Sequence, residues 1–241
     1  MLKRLPFRGT ILNTFTVLVG STVGLLAGSA LPENFKTVAI TGIALINLGL
    51  GVKLFLETKN VLIPTIAVVC GGLIGAALHL DVGVTNIAEV MRQVLGGDGN
   101  FNEGLITASV LFCVGPMTLI GCLKDGLERN IELLAIKSVF DLIAAVFLAA
   151  ALGTGVLASA IVVLVVQGLL TALAKPLRAL IEKPQLAAEA SSAGGVILIA
   201  IGISLLGLRD ERIPTELFLP ALVIAPLIAP LLLKKDQLGR E

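Results

Sequence analysis

The chain has no tryptophan, no tyrosine, one histidine and three cysteines in 241 residues, and only 15% of its residues are charged. Each shortage excludes something. A lone His79 and cysteines at positions 70, 113 and 122, without close Cys/His spacing, offer no metal-ligand set. The cysteines are odd in number and each lies in an apolar stretch, so Cys70, Cys113 and Cys122 are read as packing residues. His79, at the end of a hydrophobic run, is read as an interfacial side chain. Without tryptophan and tyrosine there is no aromatic belt, and anchoring at a membrane surface falls to Lys, Arg and a few Phe. A formal net charge of +1, with charges bunched between apolar stretches, argues against nucleic acid as a partner. The chain also lacks a Walker lysine motif, a G-x-S-x-G elbow and a His-rich metal spacing. Neither enzymatic activity nor a cofactor is therefore expected.

What is abundant is apolar: 56% of residues are hydrophobic and the mean hydropathy is +1.00. A water-soluble domain of this size would expose more apolar surface than water tolerates, so the lipid bilayer is the expected solvent. Apolar runs of about 17 to 25 residues, the length that crosses a bilayer, occur at 10–30, 37–56, 61–80, 105–123, 133–152, 156–174, 193–208 and 217–233. The expected fold class is all-α, a polytopic transmembrane bundle of about eight spans in one integral domain. The seventh run is short, so its helix must start earlier, near Glu189, or be a half-helix that stops inside the protein. A cleaved signal peptide is the rival reading of the first run, since Lys3, Arg4 and Arg8 precede it and Gly28-Ser29-Ala30 ends it. The run exceeds a typical signal h-region, however, and it has a partner later in the chain.

Basic residues resist translocation, which sets the expected orientation. With the N-terminus cytoplasmic, Lys3, Arg4, Arg8, Lys53, Lys59, Lys124, Arg129, Lys175, Arg178, Lys183, Lys234, Lys235 and Arg240 fall inside. Only Lys36, Arg92, Arg209 and Arg212 fall outside. An even number of spans, both termini cytoplasmic and a bacterial-type inner membrane fit this asymmetry. The segment 81–104 carries Ile87, Val90, Met91, Val94 and Leu95 at helical spacing beside Glu89, Arg92 and Gln93, the pattern of a helix on the external membrane surface.

An internal likeness relates the two ends of the chain. Gly42-Ile43-Ala44-Leu45-Ile46-Asn47-Leu48-Gly49 can be laid on Gly195-Val196-Ile197-Leu198-Ile199-Ala200-Ile201-Gly202, and Ile63-Pro64 then falls opposite Leu219-Pro220. Val17-Leu18-Val19 falls opposite Val163-Leu164-Val165, so spans one to three (9–80) would repeat as spans six to eight (155–234), flanking a central pair at 105–152. Copies that begin an odd number of spans apart are inserted oppositely. Such an inverted repeat suits alternating access, although duplication kept for packing alone would leave the same pattern.

Several residues could carry chemistry. Gly115-Pro116 should kink or break the fourth span, because proline has no amide to donate and its ring clashes with the Phe112 carbonyl. The freed carbonyls can serve a cation or a substrate donor, or be satisfied by neighbours and Thr118. Lys137 and Asp141 are four residues apart in the fifth span, with Ser138 adjacent. Each charge alone costs roughly 2.5–3.5 kcal/mol at a helix centre, so pairing or water is required. Lys137 can snorkel to the surface, whereas the shorter Asp141 cannot. Asn13, Thr14, Asn47, Gln167, Thr171, Ser191 and Ser192 add polar groups at membrane depth, with interhelical hydrogen bonding as the plain alternative. A helix starting at Glu189-Ala-Ser-Ser-Ala-Gly-Gly195 would aim free amides at an anion. Gly20, Gly24 and Gly28, and likewise Gly71 and Gly75, mark faces for close helix packing.

The stretch Phe112-Cys-Val-Gly-Pro-Met-Thr-Leu-Ile-Gly-Cys-Leu-Lys-Asp-Gly-Leu127, followed by Lys137-Ser138 and Asp141, resembles the YdfK/YqgA-like family of bacterial membrane proteins. Gly9-Thr-Ile-Leu-Asn13 and Glu189-Ala-Ser-Ser-Ala-Gly-Gly195 are similar to it as well. The resemblance implies an inner-membrane protein and brings no substrate. The expected function is a small secondary transporter or permease for a solute or ion, working as a homodimer in the lipid bilayer. A passive ion channel and a non-transporting scaffold or assembly factor are the alternatives.

Overall fold

A computed structural model describes residues 7–30, 32–97, 101–178, 182–208 and 213–233. Lys3, Arg4, Arg209, Arg212, Lys234, Lys235 and Arg240 of the charge argument lie outside the described residues. The order of elements is α1 (Arg8–Ser29), α2 (Glu33–Phe55), α3 (Leu62–Ala77), α4 (Leu80–Leu95), α5 (Phe101–Cys113), α6 (Pro116–Glu128), α7 (Glu132–Leu152), α8 (Thr154–Ala172), α9 (Pro184–Leu205), a 3-10 turn (Thr215–Phe218) and α10 (Ala221–Leu232). No strand occurs among the described residues. Among the described residues six helical stretches are long and apolar enough to cross a membrane, or up to eight spans if each of two bent pairs, α3 with α4 and α5 with α6, counts as one. Many large apolar side chains point outward along these helices, among them Leu26, Val38, Leu73, Phe140, Leu227 and Leu231. That arrangement is stable only where the surroundings are also apolar. The protein is a membrane protein.

The chain folds into two compact units, one of Met1–Ile43 with Ile87–Arg178 and the other of Ala44–Asn86 with Ala179–Glu241. In the first unit the glycine stripe of α1 lies against the backbone of α7. A Cβ at Gly20, Gly24 or Gly28 would collide with the carbonyl oxygens of Leu142, Val146 and Ala150 respectively. The contacts advance together along both helices, so α1 and α7 are parallel, and they are close because nothing but hydrogen separates the two backbones. The expected close packing at this stripe is thus met within the chain. Helix α8 returns the opposite way: it leaves α7 through Gly153, and near its far end the Thr171 hydroxyl is 3.2 Å from that of Thr10 at the start of α1.

The α5–α6 pair runs alongside α8 in the same direction. Gly104 faces Leu152 and Val156, Gly155 faces Phe101 and Leu105, and Gly126 faces Thr171 and Ala174. Between these contacts the pair bends by 60°. The expected break is real and its form is clear: Gly115 has φ 126°, a conformation that only glycine adopts without strain. Pro116 is not inside a distorted helix but opens a new one, where its missing amide is not needed. Helix α4 is amphipathic as expected; its Ala88 is buried with Phe101, Leu105 and Ala158, while Arg92 pairs with Glu89 at 2.6 Å. His79 is exposed at the 66° bend between α3 and α4, in the left-handed region at φ 51°.

In the second unit Ile63, Ala67, Leu186, Ala193, Ala221, Ala225 and Ala229 form the core. Gly71 faces the Ala221 backbone and Gly75 the Leu217 carbonyl, and Gly51 and Gly195 face one another's backbones across α2 and α9. Helix α9 decides between the two expectations for the seventh run. It begins before the apolar run, at Pro184 and so ahead of Glu189, and it is a full helix of 22 residues, not a half-helix. Glu189-Ala-Ser-Ser-Ala-Gly-Gly195 therefore lies inside the helix, where backbone amides already bond to carbonyls four residues back and are not free for an anion.

Candidate functional site

The first unit buries a charged pair. Lys137 and Asp141 are adjacent on one face of α7, and the Lys137 ammonium donates to Asp141 Oδ2 at 2.5 Å, with exposures of only 7% and 6%. The same carboxylate oxygen accepts a second hydrogen bond, from Asn13 Nδ2 of α1 at 2.8 Å. Two charge-assisted bonds to one oxygen hold the carboxylate in place and offset part of its desolvation. Asn13 reaches it because α1 approaches α7 closely along its glycine face.

The helix break lies beside the pair. The Lys137 ammonium sits over the Phe112 ring, 6.0 Å from its centroid, within the range of a cation–π contact. Phe112 is the penultimate residue of α5, and its carbonyl, which loses its helical partner at the break, accepts instead from the Thr118 hydroxyl at 3.1 Å. Thr118 is fully buried and spans the discontinuity. At Gly115 itself a Cβ would meet no atom within 4 Å, so space opens there.

Gln167 is fully buried on α8, and neither its amide nitrogen nor its carbonyl oxygen has a hydrogen-bond partner among the described residues. Thr14, one turn beyond Thr10 on α1, is in the same condition. Ser138 spends its hydroxyl on the Leu134 carbonyl of its own helix at 2.7 Å, and Ser191 does the same with Ala187 at 2.9 Å. These two serines have their hydrogen committed to the backbone.

The remaining expected site residues belong to the second unit. Glu189 is fully buried and binds the loop between α2 and α3: its carboxylate accepts from the Thr58 hydroxyl at 2.5 Å, the Lys59 amide at 3.0 Å and Gln185 Nε2 at 2.8 Å. Ser192 donates to the Phe55 carbonyl at 2.9 Å, capping the end of α2. Asn47 is buried in α2, and neither its side-chain nitrogen nor its oxygen has a partner among the described residues. The cysteines differ from one another: Cys122 is buried, Cys113 half-buried, and Cys70 exposed on the outer face of α3, so the last does not pack within the chain.

Asp125 was not legible as a site residue, because the apolar run of the fourth span ends at Leu123 and places it in a loop. Helix α6 continues to Glu128 and buries Asp125, whose Oδ2 accepts the Gly9 amide at the start of α1 at 2.9 Å. The signal available was the absence of any capping side chain before α1, since Phe7 precedes it and orphan amides there need a partner from elsewhere. Among the described residues no cluster of His, Cys, Asp and Glu could hold a metal ion.

Helices with apolar outer faces, and in the first unit a buried ion pair beside the bent α5–α6 pair, define a polytopic helical membrane protein. The chain belongs to the DUF554 family, described as a protein of unknown function, whose family model matches residues 8–230. It is 25% identical over 224 residues to the uncharacterized membrane protein YdfK of Bacillus subtilis, covering 91% of this chain and 94% of the relative. It is 30% identical over 224 residues to the uncharacterized protein YqgA of Escherichia coli, covering 90% and 94% respectively. No solved structure matches the chain.

Proposed function

We propose that the protein is a small secondary transporter whose cargo passes the α5–α6 break beside Lys137 and Asp141. The observation that carries this reading is the ion pair itself: two charges buried in a membrane protein, tied to Asn13 on a second helix and set against a helix that is interrupted at the same place. A pair of apolar residues would pack there at lower cost, so retention of the charges points to use by a solute or coupling ion. The free backbone groups of a broken helix supply the remaining ligands that such a site needs.

The packing also supports eight crossings. Because α1 and α7 are parallel, the chain between them must cross an odd number of times. The α5–α6 pair follows α8 along its length and makes one crossing, and α2 makes another. The bent pair of α3 and α4 then supplies only one. Within the first unit, Arg8, Lys124, Arg129, Lys175 and Arg178 lie near the ends that meet through Gly9, Asp125 and Leu134, which favours a cytoplasmic N-terminus. On this reading spans one to three and six to eight exchange roles as the site opens to either side.

The test is a solute-jump measurement on proteoliposomes holding the full chain, run over small anions, cations and metabolites. A transporter gives a saturable response that Asp141→Asn abolishes and Thr118→Ala weakens. A response linear in concentration would mark a channel instead. No response to any solute, or one untouched by Asp141→Asn, would leave a scaffold as the better account.

A further inference from the structure

We infer that Gln167 and Thr14 line a binding niche for a small oxyanion at the α5–α6 break, completed by the first amides of α6. The inference rests on the transport reading above and names the class of cargo.

The register of the helices places these groups at one level. On α8 the residues Val163, Gln167 and Thr171 recur every fourth position and are all buried, so they form the face that meets α1 and the α5–α6 pair. Near the start of that face Gly155 meets Phe101 and Leu105; near its end Thr171 meets Gly126. The break at Gly115 falls midway between these contacts along the pair, alongside the turn from Val163 to Gln167. Helix α1 runs opposite to α8 and touches it at Thr10 and Thr171. One turn further along each helix from that contact, Thr14 comes opposite Gln167. Asn13, next to Thr14, marks the same level on α7 through its bond to Asp141.

Unused donors dominate there. The intrahelical ladder of α6 begins with the Leu119 amide on the Gly115 carbonyl at 3.2 Å, so the amides of Met117 and Thr118 precede it, at the positive end of a helix of 13 residues. Among the described residues neither the Gln167 NH2 group nor the Thr14 hydroxyl has a partner. Lys137 has three N–H donors, of which Asp141 takes one. A buried amide with neither end paired by the protein is costly, and a ligand would supply the missing partners. A donor-rich niche beside an ammonium fits an oxyanion, and either an organic carboxylate or an inorganic oxyanion supplies that chemistry.

The experiment is equilibrium thermal unfolding of the purified full chain in detergent, with acetate, lactate, nitrate, sulfate and phosphate each compared with chloride at equal ionic strength. An oxyanion that raises the melting temperature above the chloride control, with saturation, is the expected result. Response to acetate or lactate alone assigns the niche to carboxylates, and response to nitrate, sulfate or phosphate alone assigns it to inorganic oxyanions. Gln167→Leu should raise the melting temperature without ligand, because it removes two unpaired buried atoms, and should abolish the shift. If that variant does not fold, Thr14→Val should weaken the apparent affinity by about tenfold or more. The inference is overturned if no oxyanion shifts the transition, if only sodium or potassium does, or if the shift survives in Gln167→Leu. None of those outcomes touches the flux measurement, which judges the transport reading separately.

Discussion

Asn13 and Asp141 are 128 residues apart in the chain and 2.8 Å apart in the fold, the amide of α1 donating to the carboxylate of α7. This contact links the glycine-mediated pairing of two parallel helices to the one acidic group on the inner face of α7. It also means that the charge state of Asp141 is felt by the helix interface.

A double-mutant cycle measures that link. Intramembrane hydrogen bonds average about 0.6 kcal/mol and reach about 1.7. The Asn13–Asp141 coupling should lie at the upper end because its acceptor is charged. Unfolding of Asn13→Ala, Asp141→Asn and the double variant in mixed micelles gives the number, and a coupling of zero would mean that the contact does not hold the interface.

Removing one charge should cost more than removing both. Lys137→Met strands a buried carboxylate, a change worth about 3–5 kcal/mol of stability in comparable pairs. Adding Asp141→Asn should restore most of that loss while leaving transport absent. If Lys137→Met alone is as stable as the double variant, the pair is wetter than its burial indicates.

Gly24 offers a packing test with an internal control. A methyl group there would run into the Val146 carbonyl, whereas one at Gly42 would meet nothing within 4 Å. Gly24→Ala should therefore destabilise by about 1–3 kcal/mol. Gly42→Ala should be neutral or slightly stabilising, since alanine is the better helix former. Equal effects at the two positions would contradict the close approach of α1 and α7.

Glu57, in the loop after α2, should leave a pH signature. Burial raises its carboxyl above the ordinary value of 4.5, an effect that nearby Lys53 partly offsets. A carboxyl raised in the folded state favours folding while it is protonated, and that contribution fades as pH climbs through the folded value. Between about pH 4 and 7 the wild type should lose stability relative to Glu57→Gln. A constant difference across that range would show that the loop carboxyl is hydrated as in the unfolded chain.

The break at Gly115-Pro116 was legible because both residues act through their own backbone, and so was the Lys137–Asp141 spacing, which a single helix fixes. Asn13 was legible only as a polar residue at membrane depth; its partner depends on how α1 meets α7. The half-helix alternative for α9 fails because Glu189, Ser191 and Ser192, which read as a polar helix end, are buried inside the helix, with Glu189 and Ser192 bonded to the α2–α3 loop and the end of α2. Asp125 lies just past the apolar run that ends at Leu123, so hydropathy alone leaves it outside the helix. Hydropathy ends a span where polarity begins, and α6 continues past that point because the Gly9 amide receives the carboxylate.

By itself the sequence determined the solvent, the helices and the position of the break, since apolar run length, backbone amide content and proline geometry are local properties. The tertiary structure alone decided that Asp141 has Asn13 as well as Lys137, that Thr118 closes over the Phe112 carbonyl, and that Gln167 has no partner among the described residues. Which donor meets which acceptor across 128 residues depends on helix direction and register, and those are set by where two backbones can touch.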